Sequence, residues 1–375
     1  MQKDNINIFL QKRIILIIGI ISIFGLIMIF DTSLGLYAQR YHYIMLQTLW
    51  FILGSVTAFI FYKLNYKIIE KFSLLLISGV IFLLLLVIFS SHVVNGATRW
   101  ITFLNLVNVQ PSEFAKIFFI TYIAYWMVNK SKVIEKCNTF KENFKVFLMP
   151  YLLITSLIAG LIVLEKDLGT AIIIISIAIL ILFSTDHSKF AKLNILTTGI
   201  YFFIVALISI IVEPYRLQRL LTYFSAKGHS SITSSGYQIH QILLTLGSGG
   251  LLGVGFTQSI QKNQYLVGNT SITDSIFVVI ANELGFITAI LLILLYLYFI
   301  YLIFKVSINT KNIDGKIIAA GIGFWIATQV FINIAANTGI LPLTGVPLPL
   351  ISYGGSSILS LFIAFGILLN INKNE

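Results

Sequence analysis

The sequence predicts an all-α, polytopic integral membrane protein with about ten transmembrane helices, and three observations support this fold class. Of the 375 residues, 58% are hydrophobic and 10% are charged, whereas an average soluble domain carries roughly 25% charged residues. The mean hydropathy is +0.95. A chain of this length has room for roughly ten spans of about 20 residues each. A soluble fold, a disordered chain, a coiled coil and a disulfide scaffold are therefore excluded.

Ten apolar runs are long enough to cross a membrane as helices. They cover residues 14–30, 44–62, 69–90, 113–129, 144–164, 168–184, 194–212, 275–304, 316–336 and 354–371. We expect the whole chain, residues 1–375, to form a single membrane domain. The polar segment 213–273, between the seventh and eighth runs, is predicted to be a large extracellular loop within that domain.

The first run begins like a signal peptide, since Lys12 and Arg13 precede it. No small-residue cleavage site follows and the chain goes on to span repeatedly, so an uncleaved first helix is predicted. The single cysteine, Cys137, lies in a basic loop, which fits a reducing cytoplasm. One cysteine excludes an internal disulfide and a cysteine-based zinc site.

The distribution of positive charge predicts the orientation in the membrane. With a cytoplasmic N-terminus, the inside segments hold 17 of the 25 Lys and Arg residues, the outside segments hold 7, and Lys116 lies within a span. The 14 acidic residues divide evenly between the two sides. An excess of cations without an excess of acids is the positive-inside pattern, so both termini are predicted to be cytoplasmic. The net charge of +11 thus indicates contact with anionic lipids, not with nucleic acid.

Three polar segments on the predicted outer face are long, and we expect the function there: residues 91–112, 213–273 and 337–355. Next to the first, Pro111 and Glu113 predict the start of a helix.

Lys116 is three residues beyond Glu113 and lies on the same helical face. Two ionisable groups at the mouth of a span should face a cavity or the bundle interior. The alternative is an ion pair that only anchors the helix. Trp100, further upstream, is either part of the site or a tryptophan of the membrane interface. Asp167, directly before the sixth run, is predicted to cap a helix.

The second segment is rich in glycine between Gly247 and Gly255. The spacing of these glycines matches neither of the common phosphate-binding motifs, and no strand pattern precedes them. Close backbone packing or an amide-lined anion site is the better interpretation.

Asp274 stands at the start of the eighth run, and Glu283 follows nine residues later. The run 275–304 predicts a helix of roughly 45 Å, on which these two carboxylates lie about 180° apart unless the helix breaks. They therefore do not resemble a pair that works across one glycosidic bond. Asp274 either acts alone or caps the helix. Glu283 is expected to make a buried contact between helices.

The third segment has three prolines within eight residues, Pro342, Pro347 and Pro349. It is apolar enough to enter the membrane but cannot form a continuous helix. Such backbone persists at membrane depth only where protein or a wet cavity covers it. The alternative is an ordinary surface loop.

These segments together resemble the SEDS family of shape, elongation, division and sporulation proteins, whose members include RodA and FtsW. The motifs that carry the resemblance occur in the family's order: Gly96-Ala97-Thr98-Arg99-Trp100, Gln110-Pro111-Ser112-Glu113, Asp167-Leu168-Gly169-Thr170, Gly236-Tyr237-Gln238, Ser248-Gly249-Gly250, Thr273-Asp274 and the run Pro342–Ser357.

The resemblance implies ten spans, a large outer loop between spans seven and eight, and polymerisation of peptidoglycan glycan strands from lipid II in the bacterial cytoplasmic membrane. It also implies a class B penicillin-binding protein as partner. In the family, the aspartate that matches Asp274 is essential for polymerisation. Members that act in elongation and members that act in division are not separated by these motifs.

The chemistry of such a reaction suits the residues present. A lipid-linked sugar diphosphate needs cations for its leaving group, and arginine suits bidentate contact with phosphate. Asp274 is the candidate general base. A divalent cation, Mg²⁺ or Mn²⁺, is compatible with Asp274, although no ligand cluster demands one. The predicted substrate-binding residues are Arg99, Trp100, Gln110, Glu113, Lys116, Arg216, Arg219, Gln238, Ser352 and Ser356.

Two other functions use many of the same features. A lipid II flippase would share the cationic cavity and the broken segment, but a transporter built from inverted repeats should show matching interruptions in its two halves. The polar segments crowd on one face instead. A non-catalytic scaffold for a transpeptidase would leave Asp274 dispensable.

The charge distribution generates a test of topology. We expect a membrane-impermeant thiol reagent, applied to intact cells, to label a cysteine introduced at Ser231 but not Cys137, because the first is predicted to be outside and the second inside. Labelling of Cys137 alone would overturn the orientation.

Overall fold

The computed structural model describes residues 2–34, 41–89, 99–103, 107–185, 188–213, 217–218, 220–221, 223, 234–260, 262 and 268–374. The helices in chain order are α1 (Gln2–Ser33), α2 (His42–Lys63), α3 (Tyr66–Lys71), α4 (Ser73–Phe89), α5 (Pro111–Glu135), α6 (Phe140–Asn143), α7 (Met149–Leu164), α8 (Leu168–Thr185), α9 (Ala191–Val212), α10 (Ser234–Ser248), α11 (Ile276–Asn309), α12 (Ile313–Asn337) and α13 (Gly355–Lys373). A π turn, Phe144–Leu148, joins α6 to α7.

In the part of the chain that the structure describes, the ten predicted runs lie in helices except at Phe72, Ser275 and Gly354. The all-α polytopic fold class is therefore confirmed. Within the described residues, eight helices are long and apolar enough to cross a membrane. The helix α4 is apolar but has 17 residues. The helix α5 has 25 residues and carries Glu113 in its first turn. Among the described residues, the one departure from an all-α chain is a short antiparallel hairpin of β1 (Ile101–Phe103) and β2 (Val107–Val109).

The helices α12 and α13 form the centre of the bundle. The helix α13 packs along α2, and α12 packs against α11, α8 and α5. Trp325 of α12 is fully buried. By contrast, α9 keeps most of its apolar surface exposed. An apolar helix that is exposed on most sides faces lipid, whereas one that is covered on all sides belongs to the core.

The helix α11 is broken, which is the alternative that the sequence left open for the run 275–304. Gly285 has φ 83° and ψ 173°, which are not helical values. In a membrane the freed backbone groups have no water to bind and must find partners within the protein. The glycine-rich segment 249–255 supplies those partners. The four bonds are Val254 N–H to Asn282 O (3.0 Å), Gly255 N–H to Glu283 O (3.0 Å), Phe286 N–H to Gly250 O (3.0 Å) and Ile287 N–H to Leu251 O (3.3 Å).

The backbones approach so closely here that only glycine fits. A Cβ on Gly253 would lie 2.1 Å from the carbonyl oxygen of Glu283, and a Cβ on Gly285 would lie 2.4 Å from the amide nitrogen of Gly253. Both residues also have positive φ, at +85° and +83°, a region that side chains disfavour. The predicted close backbone packing of the glycine-rich segment is therefore confirmed.

A buried ionic cluster holds the next part of the same segment. Lys262 Nζ lies 2.6 Å from Glu283 Oε1 and 2.8 Å from Asp31 Oδ1. Glu283 also accepts the backbone N–H groups of Thr257 (3.0 Å) and Ser259 (3.1 Å). The cluster thus joins α1, the segment after the glycines and α11. The predicted buried contact of Glu283 is confirmed, but its partners Lys262 and Asp31 were not expected.

The topology test needs one change, because Cys137 is only 6% exposed. A buried thiol can escape labelling on either side of the membrane. The neighbouring Asn138 is exposed, so a cysteine at Asn138 in a Cys137→Ser background is the better reporter for the cytoplasmic side.

The broken helix generates a stability prediction. Gly285→Ala adds a methyl group against the backbone of the glycine-rich segment and forces a side chain into positive φ. We expect a loss of at least about 1–3 kcal/mol, seen as a lower melting temperature in detergent. The control is Gly199→Ala in α9, where a Cβ meets nothing within 4 Å and no loss is expected. Equal melting temperatures for the two variants would contradict the account of the break.

Candidate functional site

Asp274 lies two residues before the start of α11 and does not occupy the cap position. The helix begins at Ile276 and its N-cap residue is Ser275. The alternative that Asp274 caps the helix is therefore not observed. Its carboxylate accepts a hydrogen bond from the hydroxyl of Thr273 at 2.9 Å. An acid at this place also has its negative charge favoured by the start of the helix.

Two asparagines of α12 hold the backbone of Asp274. The carbonyl oxygen of Asp274 accepts the side-chain amides of Asn333 (2.8 Å) and Asn337 (2.7 Å). Asn333 also donates to the carbonyl oxygen of Val346 at 2.7 Å. Both asparagines are buried. Val346 belongs to the segment 338–354, which contains Pro342, Pro347 and Pro349 and is called the proline-rich segment below. The helix α12 therefore binds both the acid and this segment.

The proline-rich segment closes over the residues before Asp274. Ser352 donates its hydroxyl to the carbonyl oxygen of Thr273 and accepts the amide of Leu348 at 2.7 Å. Tyr353 N–H donates to Ile272 O at 2.9 Å. Residues 338–354 contain no helix, as predicted. Their main-chain groups bind other parts of the protein, which is the condition for irregular backbone at membrane depth.

A small pocket opens beside Asp274. It is lined by Asp274, Asn333, Ala336, Asn337, Leu343, Thr344, Gly345 and Val346. Its volume is about 10 Å³, close to the minimum that one water molecule needs. Apart from Asp274 itself, the lining of the pocket therefore comes from α12 and the proline-rich segment.

A second group of predicted residues meets at the starts of α5, α8 and α13. Gln110 donates its side-chain amide to Asp167 (3.0 Å) and its backbone N–H to the hydroxyl of Ser356 (3.0 Å). Asp167 also accepts the backbone N–H of Thr170 at 3.1 Å. The predicted capping role of Asp167 is thus confirmed, and Gln110 connects that cap to Ser356.

Glu113 and Lys116 form the ion pair that the sequence left as the alternative. Their oxygen and nitrogen atoms are 2.9 Å apart, and the side chain of Lys116 is 0% exposed. Lys116 also donates to Gln329 Oε1 at 3.1 Å and lies over the ring of Trp325. Gln329 in turn donates to Pro347 O at 2.9 Å. Through Gln329, the ion pair therefore supports the proline-rich segment. A contact of Lys116 with substrate stays a prediction, and it requires Lys116 to leave Glu113 and Gln329.

The guanidinium group of Arg99 binds the protein itself. It donates to the carbonyl oxygens of Glu165 and Lys166, at the end of α7. Among the remaining predicted residues, Trp100 is partly buried before the hairpin, and Gln238 is partly buried in α10. Arg216 and Arg219 lie outside the described residues. A role of these four residues in substrate binding stays a prediction.

Glu165 is a buried acid beside this contact. It is 0% exposed, and neither of its carboxyl oxygens has a hydrogen-bond partner among the described residues. Burial, together with the charge of Asp167, raises its pKa from 4.5 to about 9, although Arg99 lowers it. Glu165 therefore keeps its proton at neutral pH, because burial disfavours the charged form.

Sequence reasoning missed Asn333, Asn337 and Thr344. The signal was present for the two asparagines, since polar residues four positions apart in an apolar span lie on one face and mark a functional surface. Thr344 had no such signal. Its place at the pocket depends on how the proline-rich segment folds.

The fold and the site define a polytopic membrane protein with a carboxylate held before a broken helix, beneath a proline-rich segment. The chain belongs to the family of FtsW, RodA and SpoVE: the family model, described as a cell cycle protein, matches residues 11–375.

Two similar proteins match almost the whole chain. A probable peptidoglycan glycosyltransferase FtsW of Buchnera aphidicola is 34% identical over 364 residues, which are 95% of this chain and 87% of that protein. A probable peptidoglycan glycosyltransferase FtsW of Coxiella burnetii is 33% identical, with 92% of each chain covered.

Two solved structures share the fold. A chain from a peptidoglycan synthase complex superposes with a TM-score of 0.76 at 22% identity and covers 96% of this chain and 97% of that chain. The rod shape determining protein RodA of Thermus thermophilus superposes with a TM-score of 0.66 at 21% identity, with 96% of each chain covered.

The state of Glu165 generates a prediction about pH. The folded state holds the proton up to about pH 9, whereas the unfolded state releases it near pH 4.5, so stability falls as pH rises between these values. Glu165→Gln carries no titrating group, and we expect it to gain melting temperature over the wild type as pH rises through this window. The control is Glu213→Gln, at an exposed acid. Parallel pH curves for the wild type and Glu165→Gln would contradict the buried neutral acid.

Proposed function

We propose that this chain is a peptidoglycan glycosyltransferase that polymerises glycan strands from lipid II at the outer face of the bacterial cytoplasmic membrane. The observation that carries the proposal is Asp274, a carboxylate at a pocket, with its main chain bound by α12 and its neighbour Thr273 bound by Ser352. Membership of the family and the activity named for two relatives over nearly the whole chain support it.

In the proposed reaction Asp274 is the general base. Its carboxylate takes the proton of the acceptor sugar's hydroxyl as that oxygen attacks the anomeric carbon of the lipid-linked sugar. The bond from that carbon to the diphosphate breaks, and the lipid diphosphate leaves with the electron pair. A base fixed by several main-chain bonds needs little reorganisation in the transition state, which is the physical origin of its advantage over water.

The leaving diphosphate requires positive charge. Arg216 and Arg219 are the proposed contacts, because the Arg99 guanidinium and the Lys116 ammonium bind protein groups in this structure. Among the described residues, no group of three or more His, Cys, Asp or Glu side chains that could hold a metal ion is present. If a divalent cation, Mg²⁺ or Mn²⁺, takes part, the carboxylate of Asp274 would help to hold it, since these ions prefer oxygen ligands, and it would supply positive charge for the leaving diphosphate.

The proposed partner is a class B penicillin-binding protein that cross-links the strands. The support is the similarity of the fold to a chain of a peptidoglycan synthase complex. We propose that both termini are cytoplasmic, as the charge distribution predicts. The proposed role is in cell division or elongation.

The proposal predicts that Asp274→Asn remains folded and inserted but polymerises lipid II about 10²–10⁴ times more slowly, because a general base contributes that factor. Reconstitution in liposomes with labelled lipid II measures glycan strands and lipid transfer across the bilayer separately. Glu213→Gln is the control for loss of an acid at an exposed position.

Each outcome separates one candidate function from the others. Lipid transfer without glycan strands in the wild type would indicate a flippase. If the wild type alone makes no glycan strands but increases the glycan made by a polymerising partner in the same liposomes, the chain is a scaffold. Near-normal polymerisation by Asp274→Asn would remove Asp274 from the mechanism.

A further inference from the structure

The side chain of Asn337 has one branch bound and one branch unpartnered. Its amide nitrogen donates to Asp274 O (2.7 Å), to Asn333 O (3.0 Å) and to Asn333 Oδ1 (3.2 Å). All three partners are acceptors, so the nitrogen must occupy this branch. The other branch, Oδ1, is buried and has no hydrogen-bond partner among the described residues.

Thr344, which also lines the pocket, carries a second such atom. Its hydroxyl oxygen is buried and likewise has no partner within the described part of the chain. Asn337, Thr344 and Asp274 all line the same pocket. Native proteins pair nearly all buried polar atoms, because leaving one unpaired costs free energy. Two of them at one pocket beside a carboxylate indicate a ligand that binds there.

The chemistry of the wall specifies that ligand. An ionised carboxylate and an amide oxygen only accept hydrogen bonds, whereas the threonine hydroxyl can also donate. The pocket volume of about 10 Å³ admits one oxygen atom with its protons. A water molecule satisfies all three groups, because it donates one proton to Asp274 and one to Asn337 and accepts from Thr344. A sugar hydroxyl has one proton, so it donates to Asp274 or to Asn337 and accepts from Thr344.

We propose that Asn337 Oδ1 and Thr344 Oγ1 form, with Asp274, a subsite for one O–H group. Two sources have this chemistry: an ordered water that orients the carboxylate, and the hydroxyl of the acceptor sugar, which takes the place of that water. In either case Asn337 and Thr344 are positioning residues for Asp274. The inference rests on the proposed function, since it assigns the surroundings of the proposed base.

The test uses Thr344→Val, which keeps the shape of the side chain and removes only the hydroxyl. Because that hydroxyl has no protein partner in the described structure, a merely structural role predicts no loss of stability or activity. The subsite predicts an unchanged or higher melting temperature together with a fall of about tenfold in kcat/KM for lipid II polymerisation, the size expected for one lost hydrogen bond. Thr344→Ser restores the hydroxyl and should restore the activity.

The matched control is Thr198→Val in α9. Thr198 also has a buried hydroxyl without a partner among the described residues, but it does not line the pocket. We expect full activity from this variant.

Asn337→Ala provides a second measurement. If both side chains hold the same O–H group, the double variant Asn337→Ala, Thr344→Val should lose less activity than the product of the two single losses, because the second change removes a ligand that is already lost. Losses that multiply would overturn a shared subsite.

The kinetic constants distinguish the two sources. A raised KM for lipid II in Thr344→Val indicates that the substrate's own hydroxyl binds there, and a lower kcat at unchanged KM indicates the ordered water.

Unchanged kcat and KM, or a lower melting temperature that accounts for the loss of activity, would overturn the inference. The wild type and Asp274→Asn are measured in parallel, so failure of the proposed function shows as an inactive wild type and is distinct from failure of the subsite.

Discussion

The structure depends on one constraint: a helix that breaks within an apolar medium must have its freed backbone groups bound by other protein groups. The break at Gly285 meets this constraint through the glycine-rich segment 249–255, whose backbone pairs with α11 on both sides of the break. That pairing is possible because the residues at closest approach have no Cβ. The ion cluster around Lys262 then joins the following residues to α1 and α11. A buried cation with two carboxylates is tolerated because each partner is hydrogen-bonded.

The break at Gly285 divides α11 into two parts. Its first part, residues 276–283, is buried and begins two residues after Asp274. Asn333 and Asn337 bind the main chain of Asp274 from α12, and Ser352 binds Thr273 from the proline-rich segment. The acid is therefore held by two parts of the chain, α12 and the proline-rich segment, that are far from it in sequence. A base held in this way needs little rearrangement when a substrate arrives.

The described cations at the core of the fold bind other groups of the protein. Lys116 and Lys262 are buried and paired with acids, and Arg99 donates to main-chain oxygens. A long cationic side chain in an apolar protein is stabilised by such partners, and removing one partner leaves an uncompensated charge. Of the cations that the sequence suggested for a phosphate, the described ones therefore bind protein groups. By contrast, Asn337 and Thr344 at the pocket carry polar atoms that have no partner among the described residues.

The sequence by itself determined the class of fold, the helical state of the apolar runs, the non-helical proline-rich segment and the family. These follow from composition and local pattern: apolar runs of spanning length must be helical in a bilayer, and prolines exclude a continuous helix. Only the tertiary structure decided that α11 breaks at Gly285, that Lys262 pairs with Asp31 and Glu283, and that Asn337 and Thr344 face one pocket with Asp274. These features join residues that are tens to hundreds of positions apart. No local periodicity encodes such contacts, because they arise only when the separate helices pack and each buried polar group finds its partner.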